Sequence, residues 1–323
     1  MILPTFADIN DAAGRIAPFA HVTPILSSPR LDALVGGKIL VKAEPLQKTG
    51  SFKFRGACNS VQMLADNVRT VVAWSSGNHA QAVAYAASTR GMKAIIVMPE
   101  DAPEAKKIGT KALGGEIVTY DRYHENREEI GTAIAAEHDA AIIPPYDFVP
   151  TIAGQGTIGL EIAQQTAAMG VELDQAICCT GGGGLLAGLC LGLHESHHDL
   201  PIYGAEPEDF DDFARSLELG TRQQVDPDAR SICDAVLTTC PGEMTFAINK
   251  DHVKAGLAVS DDEVLNAMAL AWQHLKLVIE PGGAVALASA LSGKVAVEGK
   301  TTLVVASGGN VDKEMFDRAL RLI

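Results

Sequence analysis

Runs of apolar, often β-branched residues recur along the chain and alternate with amphipathic stretches of helix length. The apolar runs predict strands over 38–42, 71–74, 94–98, 116–120, 140–143, 175–178, 202–205 and 301–306. Several lack polar residues almost entirely, as strands covered on both faces of a parallel sheet do. Between them, helical periodicity predicts helices near 78–89, 103–113, 125–138, 152–169, 185–194, 210–219 and 261–275. This βα alternation predicts a doubly wound α/β fold. The turn-rich stretch Pro144-Pro145-Tyr146-Asp147-Phe148-Val149-Pro150 reads as a hinge. It divides the chain into a small domain at about 48–147 and a large one built from about 1–47 and 148–323.

Composition narrows the class. A chain of 323 residues, 47% hydrophobic and 20% charged, can bury a large core and fill two domains. A formal net charge of −14 argues against nucleic acid or an anionic membrane as partner. An anionic small-molecule substrate would need a locally positive pocket. The start, Met1-Ile2-Leu3-Pro4-Thr5, lacks a basic segment followed by an apolar run, and no apolar stretch reaches membrane-spanning length. The six cysteines show no CxxC spacing and read as reduced core thiols. The expectation is a soluble cytoplasmic protein.

Four loops carry candidate chemistry. Lys53 stands in Thr49-Gly50-Ser51-Phe52-Lys53-Phe54-Arg55-Gly56, just past a predicted strand. A lysine partly buried beside Phe52, Phe54 and Arg55 loses its proton readily and suits an imine with an aldehyde cofactor. The loop Ser75-Ser76-Gly77-Asn78-His79 follows the second predicted strand and opens an alanine-rich helix, where free backbone amides favour a carboxylate. Four consecutive glycines, Gly181, Gly182, Gly183 and Gly184, precede Leu185 after another apolar strand. Their unobstructed amides can fold into an anion-binding nest at a helix start. The run has neither GxGxxG spacing nor a P-loop ending, so a phosphate monoester fits better than a dinucleotide. Ser307, in Ser307-Gly308-Gly309-Asn310 at the end of the last predicted strand, is placed to meet a cofactor edge. A neutral hydroxyl beside a pyridine nitrogen moderates the electron sink, which suits β-elimination. An imine-forming lysine and a phosphate loop together point to pyridoxal 5′-phosphate (PLP).

This ordered set resembles the fold-type II PLP enzymes of the serine/threonine dehydratase and serine racemase family. The resemblance extends through Ile152-Ala153-Gly154-Gln155-Gly156-Thr157 and Glu280-Pro281-Gly282-Gly283-Ala284, and so covers nearly the whole chain. It implies two doubly wound open sheets of the tryptophan synthase β-like kind, and a homodimer. By the same resemblance Lys53 carries PLP and takes the substrate α-proton, and Phe52 packs on the ring. Asn78 meets the ring hydroxyl, the amides of Gly181 to Gly184 with Leu185 hold the phosphate, and Ser307 meets the ring nitrogen. Ser75, Asn78 and His79 receive the substrate carboxylate. Ser76 matches the serine that serves the opposite face in racemases, and Arg127 falls where serine racemases carry an arginine near the substrate. Ala205-Glu206-Pro207-Glu208-Asp209-Phe210-Asp211-Asp212 resembles the family's divalent-cation loop, with Glu206, Asp212 and the Phe210 carbonyl as hard ligands for Mg²⁺ or Ca²⁺.

The resemblance implies dehydration and deamination of serine, threonine or 3-hydroxyaspartate, with amino-acid racemisation by Lys53 and Ser76 as the alternative. Arg127, with Arg122 and His124 nearby in sequence, leaves room for a second substrate carboxylate, which needs a charged partner once desolvated. Two departures bear on the substrate. Ala235 replaces a usual glycine, and Cys240 stands where many threonine dehydratases carry arginine. A nicotinamide-dependent oxidoreductase on a similar sheet is the third reading, and the missing GxGxxG counts against it.

Overall fold

The computed structural model describes residues 1–121 and 123–323. Among the described residues, ten strands form two sheets: β1 (Ile25–Leu26), β2 (Lys38–Ala43), β3 (Thr70–Trp74), β4 (Lys93–Pro99), β5 (Gly115–Tyr120), β6 (Ala141–Ile142), β7 (Gln175–Cys179), β8 (Ile202–Pro207), β9 (Ala255–Val259) and β10 (Thr301–Ala306). The larger sheet has the order β1-β2-β10-β7-β8-β9 and the smaller β5-β4-β3-β6. All pairings are parallel except that of β1 with β2. The predicted pair of open α/β sheets is what forms.

Burial explains the strands that sequence periodicity found. Every residue of β7 is buried, and β10 lies between β2 and β7 with Val304 opposite both Val41 and Ile177. Such strands need apolar side chains on both faces, which is the pattern read from the chain. Two strands escape that pattern: β1 is two residues long, and the Ala-Gly-Leu-Ala-Val run of β9 lacks a strong β signature. The helix predicted over 261–275 is α-helical over Asp261–Leu270 and then widens into a π turn over Ala271–Leu275. No described helix is long and apolar enough to cross a membrane.

Strand order decides where the chemistry falls. Because β2, β10 and β7 are neighbours, the segments that follow them emerge side by side at the carboxyl edge of one sheet. The helix Lys53–Gln62 lies after β2 and packs Phe54, Cys58 and Val61 into a core with Val71, Ala73 and Ile96 of the smaller sheet. It thereby bridges both sheets. Helix Val149–Met169 packs against it, where a Cβ on Gly154 would lie 2.5 Å from the Arg55 carbonyl, and crosses helix Gly184–His194 closely, where a Cβ on Gly188 would lie 2.6 Å from the Gly156 amide nitrogen.

Candidate active site

Lys53 is the first residue of its helix, directly after Phe52. Its ammonium donates to the Pro145 carbonyl at 2.9 Å and lies 5.2 Å from the Phe52 ring centre. Burial pulls its pKa from 10.5 down to about 8. The positive end of the helix dipole acts in the same direction on a cation. Arg55, expected beside this amine, turns away into a buried ion network with Glu44 and Glu161, and Phe54 packs on Tyr85. Desolvation, and not a neighbouring cation, primes the lysine.

The other three loops converge on it. The Phe52 amide donates to the Ser307 carbonyl at 3.0 Å, and Ser51 bridges Gly308, so the lysine turn is tied to the loop after β10. Cys179, the last residue of β7, lies beside Ser307 and within electrostatic reach of Lys53. The glycine run follows immediately. Its carbonyls are held from behind: Thr245 Oγ1 donates to Gly182 O at 2.6 Å and Asn249 Nδ2 to Gly183 O at 3.2 Å. Among the described residues, the Gly181 to Leu186 amides donate to no protein acceptor, and Ala187 is the first to bond back, to Gly183 O at 2.9 Å. Gly183 has φ 89°, a left-handed conformation that turns the loop into the helix. Free amides ahead of an eleven-residue helix fit a phosphate. The buried hydroxyls of Ser51 and Thr180 also lack protein partners. The donor set fits PLP.

The loop Ser75, Ser76, Gly77 leads into helix Asn78–Ser88, and the Gly77 amide donates to Ser75 Oγ at 3.2 Å. Asn78 Nδ2 lies 3.2 Å from where a Cβ on Gly308 would sit, so this loop reaches across to Ser307. His79 is buried, with Nε2 2.8 Å from the Ile143 carbonyl; a carbonyl only accepts, so Nε2 carries the proton. Burial, reinforced by the Lys53 charge, lowers its pKa to about 3. His79 is therefore a neutral imidazole and brings no positive charge to a carboxylate; the backbone amides of the helix start remain for that task.

Arg127 opens helix Arg127–Glu137, is exposed, and acts electrostatically on Tyr146. The Tyr146 ring in turn covers the glycine loop, within 2.5 Å of a Cβ placed on Gly182. His124 is exposed and paired with Asp121 at 2.7 Å, while Arg122 lies outside the described residues. Cys240 is half-buried, and Ala235 packs 2.8 Å from a Cβ on Gly282.

Two site residues carry no role in the sequence pattern. Tyr146 reads there only as part of the hinge stretch, and Glu280 only as part of a resemblance. Glu280 is buried against the Ser307 loop, accepts from Asn78 Nδ2 at 2.5 Å, and burial pushes its pKa up to about 7.

In the candidate cation loop, Glu206 caps helix Asp212–Leu219, accepting from Phe213 N at 3.0 Å and Ala214 N at 2.9 Å. Asp212 Oδ2 is buried without a partner. No cluster of three or more His, Cys, Asp or Glu side chains suited to a metal occurs among the described residues.

An amine, a phosphate nest and a strand-end hydroxyl brought together at one sheet edge are the marks of a PLP enzyme. The chain belongs to that family: the description "Pyridoxal-phosphate dependent enzyme" matches residues 16–308. The chain is 41% identical over 318 residues to the L-threo-3-hydroxyaspartate ammonia-lyase of Saccharomyces cerevisiae, covering 98% of this chain and 96% of that one. It is 38% identical to the serine racemase of Schizosaccharomyces pombe, covering 98% and 97%. The crystal structure of a T.th. threonine deaminase superposes with a TM-score of 0.91 at 44% identity, covering 96% of this chain and 99% of that one.

Proposed function

We propose that this enzyme is an ammonia-lyase that dehydrates and deaminates β-hydroxy-α-amino acids, with 3-hydroxyaspartate as its preferred substrate. The observation that carries the reading is Lys53, desolvated to a pKa of about 8 beside a nest of free amides. Bound PLP supplies an electron sink for charge developing at the substrate Cα. Lys53 Nζ takes the α-proton, and the Pro145 carbonyl keeps the amine oriented. The amides at the start of helix Asn78–Ser88 and the Ser75 hydroxyl receive the α-carboxylate. Ser307 contributes a neutral hydroxyl at the ring edge. The β-hydroxyl leaves with a proton as water, and a water molecule then hydrolyses the remaining carbon–nitrogen bond, releasing ammonia and giving a 2-oxo acid.

Arg127 meets the distal carboxylate, which is why a dicarboxylate is favoured, in keeping with the S. cerevisiae relative. Arg127→Gln raises KM for 3-hydroxyaspartate by about 10- to 100-fold, as expected for losing a charged hydrogen bond. Serine, with no second carboxylate, changes by less than about threefold. Equal losses on both substrates would remove Arg127 from this role.

A panel of L- and D-serine, L- and D-threonine and the 3-hydroxyaspartate isomers tests the whole reading, with oxo acid, ammonia and product chirality followed together. Equal release of oxo acid and ammonia is expected, with the highest kcat/KM on a 3-hydroxyaspartate isomer. D-serine from L-serine without oxo acid would instead support the second reading, racemisation with Ser76 opposite Lys53, which the S. pombe relative favours.

We place a Mg²⁺ or Ca²⁺ ion at Glu206, Asp212 and the Phe210 carbonyl, supported by the partnerless Asp212 oxygen. The ion's role is structural. Adding either ion at about 100 times its Kd raises the melting temperature by a few degrees, and Asp212→Asn abolishes the shift. An unchanged shift in that variant moves the ion elsewhere. The small domain at about 48–147 would carry Arg127 and the Ser75–His79 loop onto the large one. A cytoplasmic homodimer completes the reading, supported by the free cysteines and the family resemblance.

A further inference from the structure

Glu280 ends the segment before helix Pro281–Leu291, and its amide donates to the Gly308 carbonyl at 3.0 Å. Its side chain is locked against that loop: a Cβ on Gly308 would collide with Glu280 Oε1. The same oxygen accepts from Asn78 Nδ2 at 2.5 Å. At the other end of the amide, Asn310 Nδ2 donates to Asn78 Oδ1 at 2.8 Å and to the Thr49 carbonyl at 2.8 Å. A chain of four residues from four distant segments thus passes through one amide.

A side-chain amide can point either way, and its neighbours decide which. A carboxylate oxygen accepts, so it selects the nitrogen of Asn78. Asn310 Nδ2 cannot turn over without dropping the Thr49 carbonyl, so it selects the oxygen. Reversing Asn78 would set two acceptors together at Glu280 and two donors together at Asn310. The second N–H of Asn78 is then the only group that side chain can direct along its nitrogen end.

We propose that Glu280 is a positioning residue that makes Asn78 present an N–H donor, and not its carbonyl oxygen, to the hydroxyl of the cofactor ring. This rests on the reading that Asn78 meets that hydroxyl. A donor there favours the ionised hydroxyl and an acceptor the neutral one, and the bound cofactor absorbs near ~410 nm in the first case and near ~330 nm in the second. The charged groups facing Glu280 are Asp234, which raises its pKa, Lys106, which lowers it, and Cys179, whose thiol Glu280 raises. Lys106 and Asp234 pair with each other, which limits their net effect on the carboxylate.

The test adds PLP to apoprotein and reads the two bands at fixed pH, beside thermal melts of the apoprotein. In Glu280→Lys the introduced amine can only donate, so it selects the Asn78 oxygen and turns the amide over; the ratio of the ~410 nm to the ~330 nm band falls about threefold or more. The double variant Glu280→Lys/Asn78→Asp restores complementary pairing, because the introduced amine donates to a carboxylate and Asn310 donates to its other oxygen. It regains the melting temperature lost in Glu280→Lys, yet keeps the ~330 nm band. A merely structural role predicts recovery of both. A parental band ratio in Glu280→Lys overturns the proposal, and if that variant does not fold, a ~410 nm band in the double variant does so. Parental protein that develops neither band rejects the cofactor site itself.

Discussion

Replacing Lys53 by alanine abolishes turnover, by about 10⁴-fold or more, since the group we propose to carry the cofactor and to move the α-proton is lost. The variant stays folded and melts no lower than the parent at neutral pH. The sign follows from the pKa. Lys53 titrates at about 8 in the folded protein against 10.5 ordinarily, so below pH 8 folding must hold a charged amine in a desolvating site. That penalty is full below about 8 and fades as pH rises toward about 10.5, where the unfolded chain also releases its proton. Removing the amine removes the penalty. In the parental apoprotein the rate of cofactor capture rises through pH 8 and then levels, because only the neutral amine attacks. Stopped-flow absorbance and paired melts measure all three. Retained turnover in Lys53→Ala would reject the assignment, and a capture rate flat across pH 7–9 would show that the amine is not desolvated.

Lys53 and the glycine loop were legible because their chemistry demands rare local patterns: an amine after a strand, and bare amides at a helix start. β7 and β10 were legible because strands covered on both faces must be apolar throughout. The helix Lys53–Gln62 was not, because it buries Arg55, Asn59 and Ser60, which reverses the hydrophobic pattern that marks a helix face. β9 hides for a related reason: Gly256 weakens its strand signature, yet a Cβ there would collide with Ala214 Cβ. The role of Glu280 depends on Asn78, 202 residues away, and that of Tyr146 on a glycine loop it covers only after folding. No local pattern encodes such pairings. Arg55 shows the same limit, since proximity in sequence to Lys53 suggested electrostatic influence that the helix direction denies.

Arg55→Met lowers stability by about 3–5 kcal/mol, the range for breaking a buried charge pair from one side. Arg55 is fully buried, with Nε 2.8 Å and Nη2 2.9 Å from the two oxygens of Glu44. Its Nη1 and Nη2 also reach Glu161 at 2.6 and 2.9 Å. Lys42 Nζ completes the set, donating to Glu161 at 2.6 Å and to the Thr23 carbonyl at 2.7 Å. Two cations thus balance two carboxylates, and the guanidinium fork is what satisfies both carboxylates at once. Without it Glu44 and Glu161 share a single lysine, and one negative charge is left in the interior. Arg55→Lys keeps the charge but not the fork, so it recovers only part of the loss. The melting temperature of Arg55→Met falls by about 6–15 °C, and a drop below about 2 °C would show the network to be energetically idle. Adding Glu44→Gln costs less than the two separate losses combined, because Glu44 is then no longer a stranded charge. The network ties the turn after β2 to helix Lys53–Gln62 and helix Val149–Met169, so loosening it also lets the lysine drift from Pro145. In the folded fraction of Arg55→Met, kcat therefore falls at saturating cofactor.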